Sequence, residues 1–192
     1  MCIRDGLGVF GGLGKTSIFT RFRTGEFDPP GGDQKIAEFQ KSWLIDGKKV
    51  SITMFDTAGM ERHMSTIPHT YFREAKLLLI VYSIDETESF DSLDSWLGNA
   101  SSARTAAGEE PLIVALVGNK IDLPKREVTK ARAMELAELY EIPSDLIFEV
   151  SALDDTNIQA MFDVIATKIQ PAAKKSTEKA TKPPSNRSKS IC

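Results

Sequence analysis

G-G-L-G-K-T, residues 11–16, opens onto S-I-F-T-R-F, residues 17–22. Glycines in such a stretch let successive backbone N–H groups turn inward around an anion. A helix that starts at its end adds partial positive charge there. A polyphosphate fits this arrangement: Lys15 reaches its β- and γ-phosphates, and Thr16 offers a hydroxyl to a magnesium ion. The pattern usually has a glycine at position 9, where this chain has Val9 with Gly8 beside it. The lead-in C-I-R-D-G-L-G-V (2–9) is also polar and glycine-rich for a strand. A flexible glycine turn capping a helix is the competing reading. G-K-T at a strand–helix junction favours the phosphate loop.

Outward from that loop the chain alternates between strand-like and helix-like runs. K-L-L-L-I-V-Y-S (76–83) and P-L-I-V-A-L-V-G (111–118) are continuously apolar, as in strands of a parallel sheet covered on both faces. Ala133, Leu136, Ala137 and Tyr140 repeat at helical spacing, as do Ile158, Met161, Phe162 and Ile165. Thr156-x-x-Gln159 predicts a capping box at the start of that last helix. Asp46-Gly47 between two strand candidates predicts a hairpin over 39–55. The sum is a doubly wound α/β fold with an antiparallel edge. One domain over 1–170 and a disordered tail over 171–192 are expected, the tail being too rich in Lys, Ser, Thr and Pro to pack a core.

Three further motifs lie at strand ends, where α/β sheets bind ligands. D-T-A-G-M-E-R (56–62) follows V-S-I-T-M-F and reads as a phosphate-sensing turn. N-K-I-D (119–122) closes L-I-V-A-L-V-G, and S-A-L (151–153) closes L-I-F-E-V. Asp122 can accept from the N1–H and N2–H2 edge of guanine, a pairing adenine does not offer. Lys120 can lay its stem over the base, and the Ala152 N–H can donate to O6. A polar turn at a strand end is the bland alternative for N-K-x-D alone. Its order after G-K-T and D-T-A-G weighs against that.

The net charge of −3 divides into a tail of about +5 (Lys174, Lys175, Lys179, Lys182, Arg187 and Lys189 against Glu178) and a body of about −8. That distribution does not suit a nucleic-acid-binding face. It suits an anionic membrane surface or a solvated linker. Two cysteines at opposite ends, Cys2 and Cys192, form neither a disulfide framework nor a zinc spacing, so a reducing, intracellular setting is expected. There is no secretory h-region, and the apolar runs are far short of the roughly 20 residues of a bilayer span. His63 and His69 are isolated and read as surface residues rather than metal ligands.

G-G-L-G-K-T, D-T-A-G, N-K-I-D and E-V-S-A-L, in this order, resemble a small GTPase of the Ras superfamily. S-F-D-S-L-D-S-W-L (89–97), T-Y-F-R-E-A (70–75) and S-A-L-D-D-T-N-I (151–158) most resemble its Rab branch. The resemblance spans roughly residues 3–170. It implies a G domain, the P-loop NTPase fold with a mostly parallel six-stranded sheet, one antiparallel edge strand and helices on both faces. It implies GTP and GDP bound with Mg2+, and a two-state switch driven by the γ-phosphate. Carried over by position, Gly11, Gly12, Leu13, Gly14, Lys15, Thr16 and Ser17 form the phosphate loop. Phe27 packs on guanine, Asp56 holds Mg2+ with Thr16, and the Gly59 N–H meets the γ-phosphate. Asn119, Lys120, Asp122, Ser151, Ala152 and Leu153 form the base site. The family also implies prenylation, membrane traffic on the cytoplasmic face of an intracellular membrane with cycling through the cytosol, and a monomer. Effectors, exchange factors and GTPase-activating proteins would read switch segments at about 28–39 and 57–75.

The chain departs from that pattern in four places. Met60 replaces the glutamine that orients the attacking water; a thioether donates nothing and accepts weakly. In F-D-P-P-G-G-D-Q-K-I-A-E-F (27–39) the magnesium-binding threonine falls at Gln34, a doubtful substitute, with Asp33 beside it. The segment 63–70 is one residue longer than usual. The end S-K-S-I-C is not a C-a-a-X box; the resemblance implies Cys192, a single terminal cysteine, as prenyl acceptor with the basic tail as second signal, and an unmodified thiol on a loose tail is the alternative. The leading expectation is a Rab-like GTPase with Lys15, Gly59 and Met60 at the reacting phosphate and a slowed intrinsic rate. A hydrolysis-deficient GTP-binding module is the second reading. An ATP-dependent kinase or transport ATPase is the third, and Asp122 opposes it.

Overall fold

The structure is a computed structural model and describes residues 2–5, 12–27, 38–56, 75–98 and 112–169. Val9, Gly11, Gln34, Gly59, Met60, Cys192, the switch segments 28–37 and 57–74 and the tail 171–192 lie outside the described residues. The elements in chain order are β1 (Cys2–Asp5), α1 (Lys15–Thr24), β2 (Glu38–Ile45), β3 (Lys48–Asp56), β4 (Leu77–Ser83), α2 (Thr87–Asp91), β5 (Ile113–Asn119), α3 (Lys130–Leu139), β6 (Ile147–Glu149) and α4 (Ile158–Lys168).

The strands form one sheet in the order β2-β3-β1-β4-β5-β6. β2 runs antiparallel to β3, and every other neighbouring pair is parallel. β2 and β3 meet in the hairpin that Asp46-Gly47 predicts, with Ile45 opposite Lys48. Both turn residues have positive φ, 50° and 72°. A two-residue hairpin turn needs this to match strand twist, and Asp-Gly supplies it cheaply. β1 lies between β3 and β4, so the strand order reverses there. That reversal is the switch point at which doubly wound sheets take their ligands, and α1 begins beyond it.

All seven residues of β4 are buried, as are the last five of β5. Successive strand residues face opposite sides, so both faces of these central strands are covered. α1 and α4 pack on each other through Phe22 and Phe162, whose rings stack with centroids 3.7 Å apart. Phe39 and Trp43 of β2 join that cluster, Phe39 edge-on to Phe19 at 4.7 Å and Trp43 stacked on Phe22 at 6.0 Å. Trp43 Nε1 donates to Asp163 Oδ1 at 2.9 Å. The hairpin is thereby tied to the final helix. Such aromatic pairs add about 0.5–1.5 kcal/mol each beyond area burial.

Ile158, Met161, Phe162 and Ile165 are all buried in α4, as their spacing predicts; of the other set, Ala133 and Ala137 are buried in α3, while Leu136 and the C-cap Tyr140 are half-buried against the core. The capping box does not form. Asn157, at φ 61°, is the N-cap of α4 and makes no side-chain cap. The Thr156 hydroxyl instead donates to Asp154 Oδ1, and Gln159 Nε2 reaches forward to Asp163 Oδ1. Nearer carboxylates have captured both groups.

Two side chains in this frame yield predictions. Tyr82 is fully buried edge-on to Phe90, and its hydroxyl lies over Gly118, yet Oη has no hydrogen-bond partner among the described residues. Burial pushes this phenol's pKa up. An orphaned buried hydroxyl is a liability, so Tyr82→Phe should leave the urea midpoint unchanged or raise stability by about 1 kcal/mol. A loss of similar size would mean that Oη has a partner in solution. Glu127 joins the segment after N-K-I-D to the start of α2. Its carboxylate pairs with Lys125 and accepts from the Thr87 N–H and hydroxyl, which hold its pKa at about 2. The folded value lies below the ordinary one. The contact therefore stabilises fully above pH 4.5, and that contribution falls away as pH drops towards 2. Carboxyl NMR titration should find Glu127 still ionised at pH 3.5, where an unperturbed glutamate is mostly protonated.

Candidate functional site

At the C-terminal ends of β5 and β6 a cleft of about 210 Å3 opens. Gly12, Gly14 and Ser17 border it from the loop before α1 and from α1 itself, and Phe27 closes one side. Asn119, Lys120 and Asp122 come from the end of β5, and Ala152 and Leu153 from the loop after β6. Three separately read motifs thus meet in one place.

Asn119 holds them there. It is the last residue of β5 and is 2% exposed. Its Nδ2 donates to Leu13 O at 2.9 Å, and its Oδ1 accepts from the Ala152 N–H at 3.2 Å. One amide therefore bridges the glycine loop and the Ala152 loop. Gly14 makes room for it. A Cβ on Gly14 would stand 2.3 Å from Asn119 Nδ2, and its φ of +82° already disfavours any side chain. This glycine is demanded by the approach of Asn119 as well as by helix entry, where it is the N-cap of α1 and Gly14 O accepts from Ile18 N at 2.8 Å. The Ala152 N–H, read as the donor to O6, donates to Asn119 Oδ1.

Asp122 is aimed by its neighbour. The buried Ser151 hydroxyl donates to Asp122 Oδ1 at 2.6 Å and accepts from the Asp154 N–H at 3.3 Å. Asp122 Oδ2 has no hydrogen-bond partner among the described residues. The side chain is thus oriented, half-satisfied and on the cleft wall, ready to accept from a ligand with adjacent N–H groups. Lys120 sits at φ 69°, uncommon for a non-glycine residue. Its Nζ is 3.8 Å from Asp85 Oδ1, and Asp85 also receives the Ser83 hydroxyl.

Beside the glycine loop, Lys15 is the first residue of α1 and is 5% exposed. Thr16 and Ser17 follow half-buried. Asp56 ends β3, the neighbour of β1 in the sheet. A hydroxyl and one carboxylate suit Mg2+, which keeps several waters and takes its remaining oxygens from substrate phosphates. No cluster of three or more metal-ligating side chains exists among the described residues. Sites that need a protein cage, such as structural zinc, are a poorer match to the described residues.

Arg21 escaped the sequence reading. Its Nε donates to Ala152 O at 2.8 Å, Nη2 to Leu153 O at 2.5 Å and Nη1 to Gly25 O at 2.8 Å. The only hint was helical spacing, which puts it one turn beyond Ser17.

A glycine loop entering a helix at the sheet's switch point, joined by a buried asparagine to a serine-aimed aspartate, defines a nucleotide-binding P-loop domain. The Ras family model matches residues 8–171. Ras-related protein Rab-30 of Homo sapiens is 36% identical over 168 residues, covering 86% of this chain and 79% of that protein. Ras-related protein Rab-18 of Lymnaea stagnalis is 33% identical over 159 residues, covering 82% and 75% respectively. The chain belongs to the Ras family as a Rab-like small GTPase. Members of this family bind guanine nucleotides with Mg2+ and work with effectors, exchange factors and GTPase-activating proteins.

Asn119→Ala would leave Leu13 O and the Ala152 N–H without their partner. Each such loss is worth about 1–3 kcal/mol, so urea unfolding of the nucleotide-free protein should show a destabilisation of about 2 kcal/mol or more. A change below about 0.5 kcal/mol, the scale of ordinary surface substitutions, would mean that the two loops are held by something else.

Proposed function

We propose that the cleft takes the guanine base of GTP and GDP, and that the chain acts as a slow-hydrolysing Rab-like switch in vesicle-mediated membrane traffic. The observation that carries the reading is Asp122, oriented by the Ser151 hydroxyl at its Oδ1 and lining the cleft, with no partner for Oδ2 among the described residues. Two adjacent N–H donors on one base edge satisfy it, and guanine has them. Asn119 binds no phosphate in this account. It sets the glycine loop at a fixed offset from Asp122, so that base and phosphates are recognised together.

Lys15 lies at the helix N-terminus, where its charge and the N–H groups of Gly12, Leu13 and Gly14 favour a polyphosphate. Thr16 and Asp56 would hold Mg2+, with Gln34 a doubtful third donor. Bound magnesium would neutralise charge that develops between the β- and γ-phosphates. Gly59 would meet the γ-phosphate through its N–H. Met60 has no group to orient the attacking water. The protein is further proposed to comprise a G domain over 1–170 and a basic tail over 171–192 prenylated at Cys192, to attach to the cytoplasmic face of an intracellular membrane, to be a monomer and to have no nucleic-acid partner. The switch segments at about 28–39 and 57–75 would meet effectors and regulators. Met60, Gln34 and Val9 favour a second reading, a GTP-binding module that scarcely turns over.

Single-turnover hydrolysis of GTP separates the two. The protein should convert bound GTP to GDP slowly, and Met60→Gln should raise the rate about tenfold or more, about 1.4 kcal/mol of barrier. No GDP from either form would favour the binding module.

A further inference from the structure

Arg21 joins elements that the guanine reading uses and that lie 131 positions away in sequence. It projects from α1, the helix that begins at the phosphate loop. Its Nε and Nη2 grip two successive carbonyls, Ala152 O and Leu153 O. Nη1 reaches the carbonyl of Gly25, the C-cap of the same helix. The guanidinium carbon is also 5.9 Å from the Phe27 ring centroid, within cation–π range. Arg21 therefore backs two walls of the cleft, the Ala152–Leu153 loop and Phe27.

The consequence falls on one N–H. Holding the carbonyls of residues 152 and 153 fixes the backbone on the C-terminal side of Ala152. Asn119 Oδ1 engages the N–H on the other side at 3.2 Å, a long bond that is easily shared. We propose that Arg21 is a positioning residue for base recognition: it aims the Ala152 N–H at the O6 oxygen of bound guanine and so sets how slowly the nucleotide leaves. The inference rests on the guanine reading above and adds to it a residue that touches no part of the nucleotide. Only a planar guanidinium presents donors in a fixed fork to neighbouring carbonyls; a lysine ammonium has charge without that geometry.

The test uses Arg21→Lys, with Arg21→Gln as a second variant should the first be poorly folded. Release of GDP and of 6-thio-GDP is followed by displacement with excess unlabelled GDP. The thio analogue keeps the N1–H and N2–H2 edge for Asp122 but offers sulfur, a weak acceptor, in place of O6. Arg21→Lys should speed GDP release about tenfold, the effect of a single hydrogen bond lost or misaligned. Release of 6-thio-GDP should change by less than about threefold, because the contact in question is already weak there. Equal acceleration of both nucleotides would overturn the proposal, since a merely structural role loosens the whole cleft. Unchanged GDP release in both variants would overturn it too. Wild-type protein that retains no GDP would instead bring down the guanine reading, and this inference with it.

Discussion

The site depends on a single buried amide. Asn119 ends the most fully covered part of the sheet, so its position is set by core packing rather than by loop conformation. From there it bridges two loops: Leu13 on one side, Ala152 on the other. A primary amide suits this post because it has a donor and an acceptor at opposite corners. Asp would lose the donor and present a carboxylate to the Leu13 carbonyl. Gly14 follows as a requirement, because the amide nitrogen occupies the space a Cβ would need.

Around that amide the fold divides the work. The central strands β4 and β5 provide rigidity by burial on both faces. The hairpin at the sheet edge is more exposed, its β2 residues alternating between exposed and half-buried. It is tied down by aromatic stacking onto α1 and α4 and by the Trp43–Asp163 bond. α1 is the common element: it starts at the glycine loop, buries Phe19 and Phe22 in the aromatic cluster and extends Arg21 to the Ala152 loop.

Much of this is legible in the residues. Apolar runs at 76–83 and 111–118 give the buried parallel strands, because burial on both faces leaves no polar alternation to disguise them. Asp46-Gly47 gives the turn, because few dipeptides tolerate positive φ twice. N-K-I-D and S-A-L can be located because their donors and acceptors match one base edge. Three features were hidden. Arg21 sits in an ordinary helical run, and its partners lie far off in sequence. The cap of α4 was misread because Asp154 and Asp163 compete for Thr156 and Gln159, and a local pattern does not rank such competitors. The bond from the Ala152 N–H to Asn119 Oδ1 joins residues 33 positions apart, which no local motif encodes.

Selection of guanine is what Asp122 and Ala152 are proposed to confer on this cleft. The most direct measurement is to purify the full chain without added nucleotide, denature it with heat and identify the released base by chromatography. A guanine nucleotide, near one per protein molecule, is the expected result. GDP would indicate that the chain completes hydrolysis despite Met60, and GTP that it holds its substrate almost unturned. An adenine nucleotide, or none, would contradict the assignment of Asp122 and Ala152 as the groups that read the base.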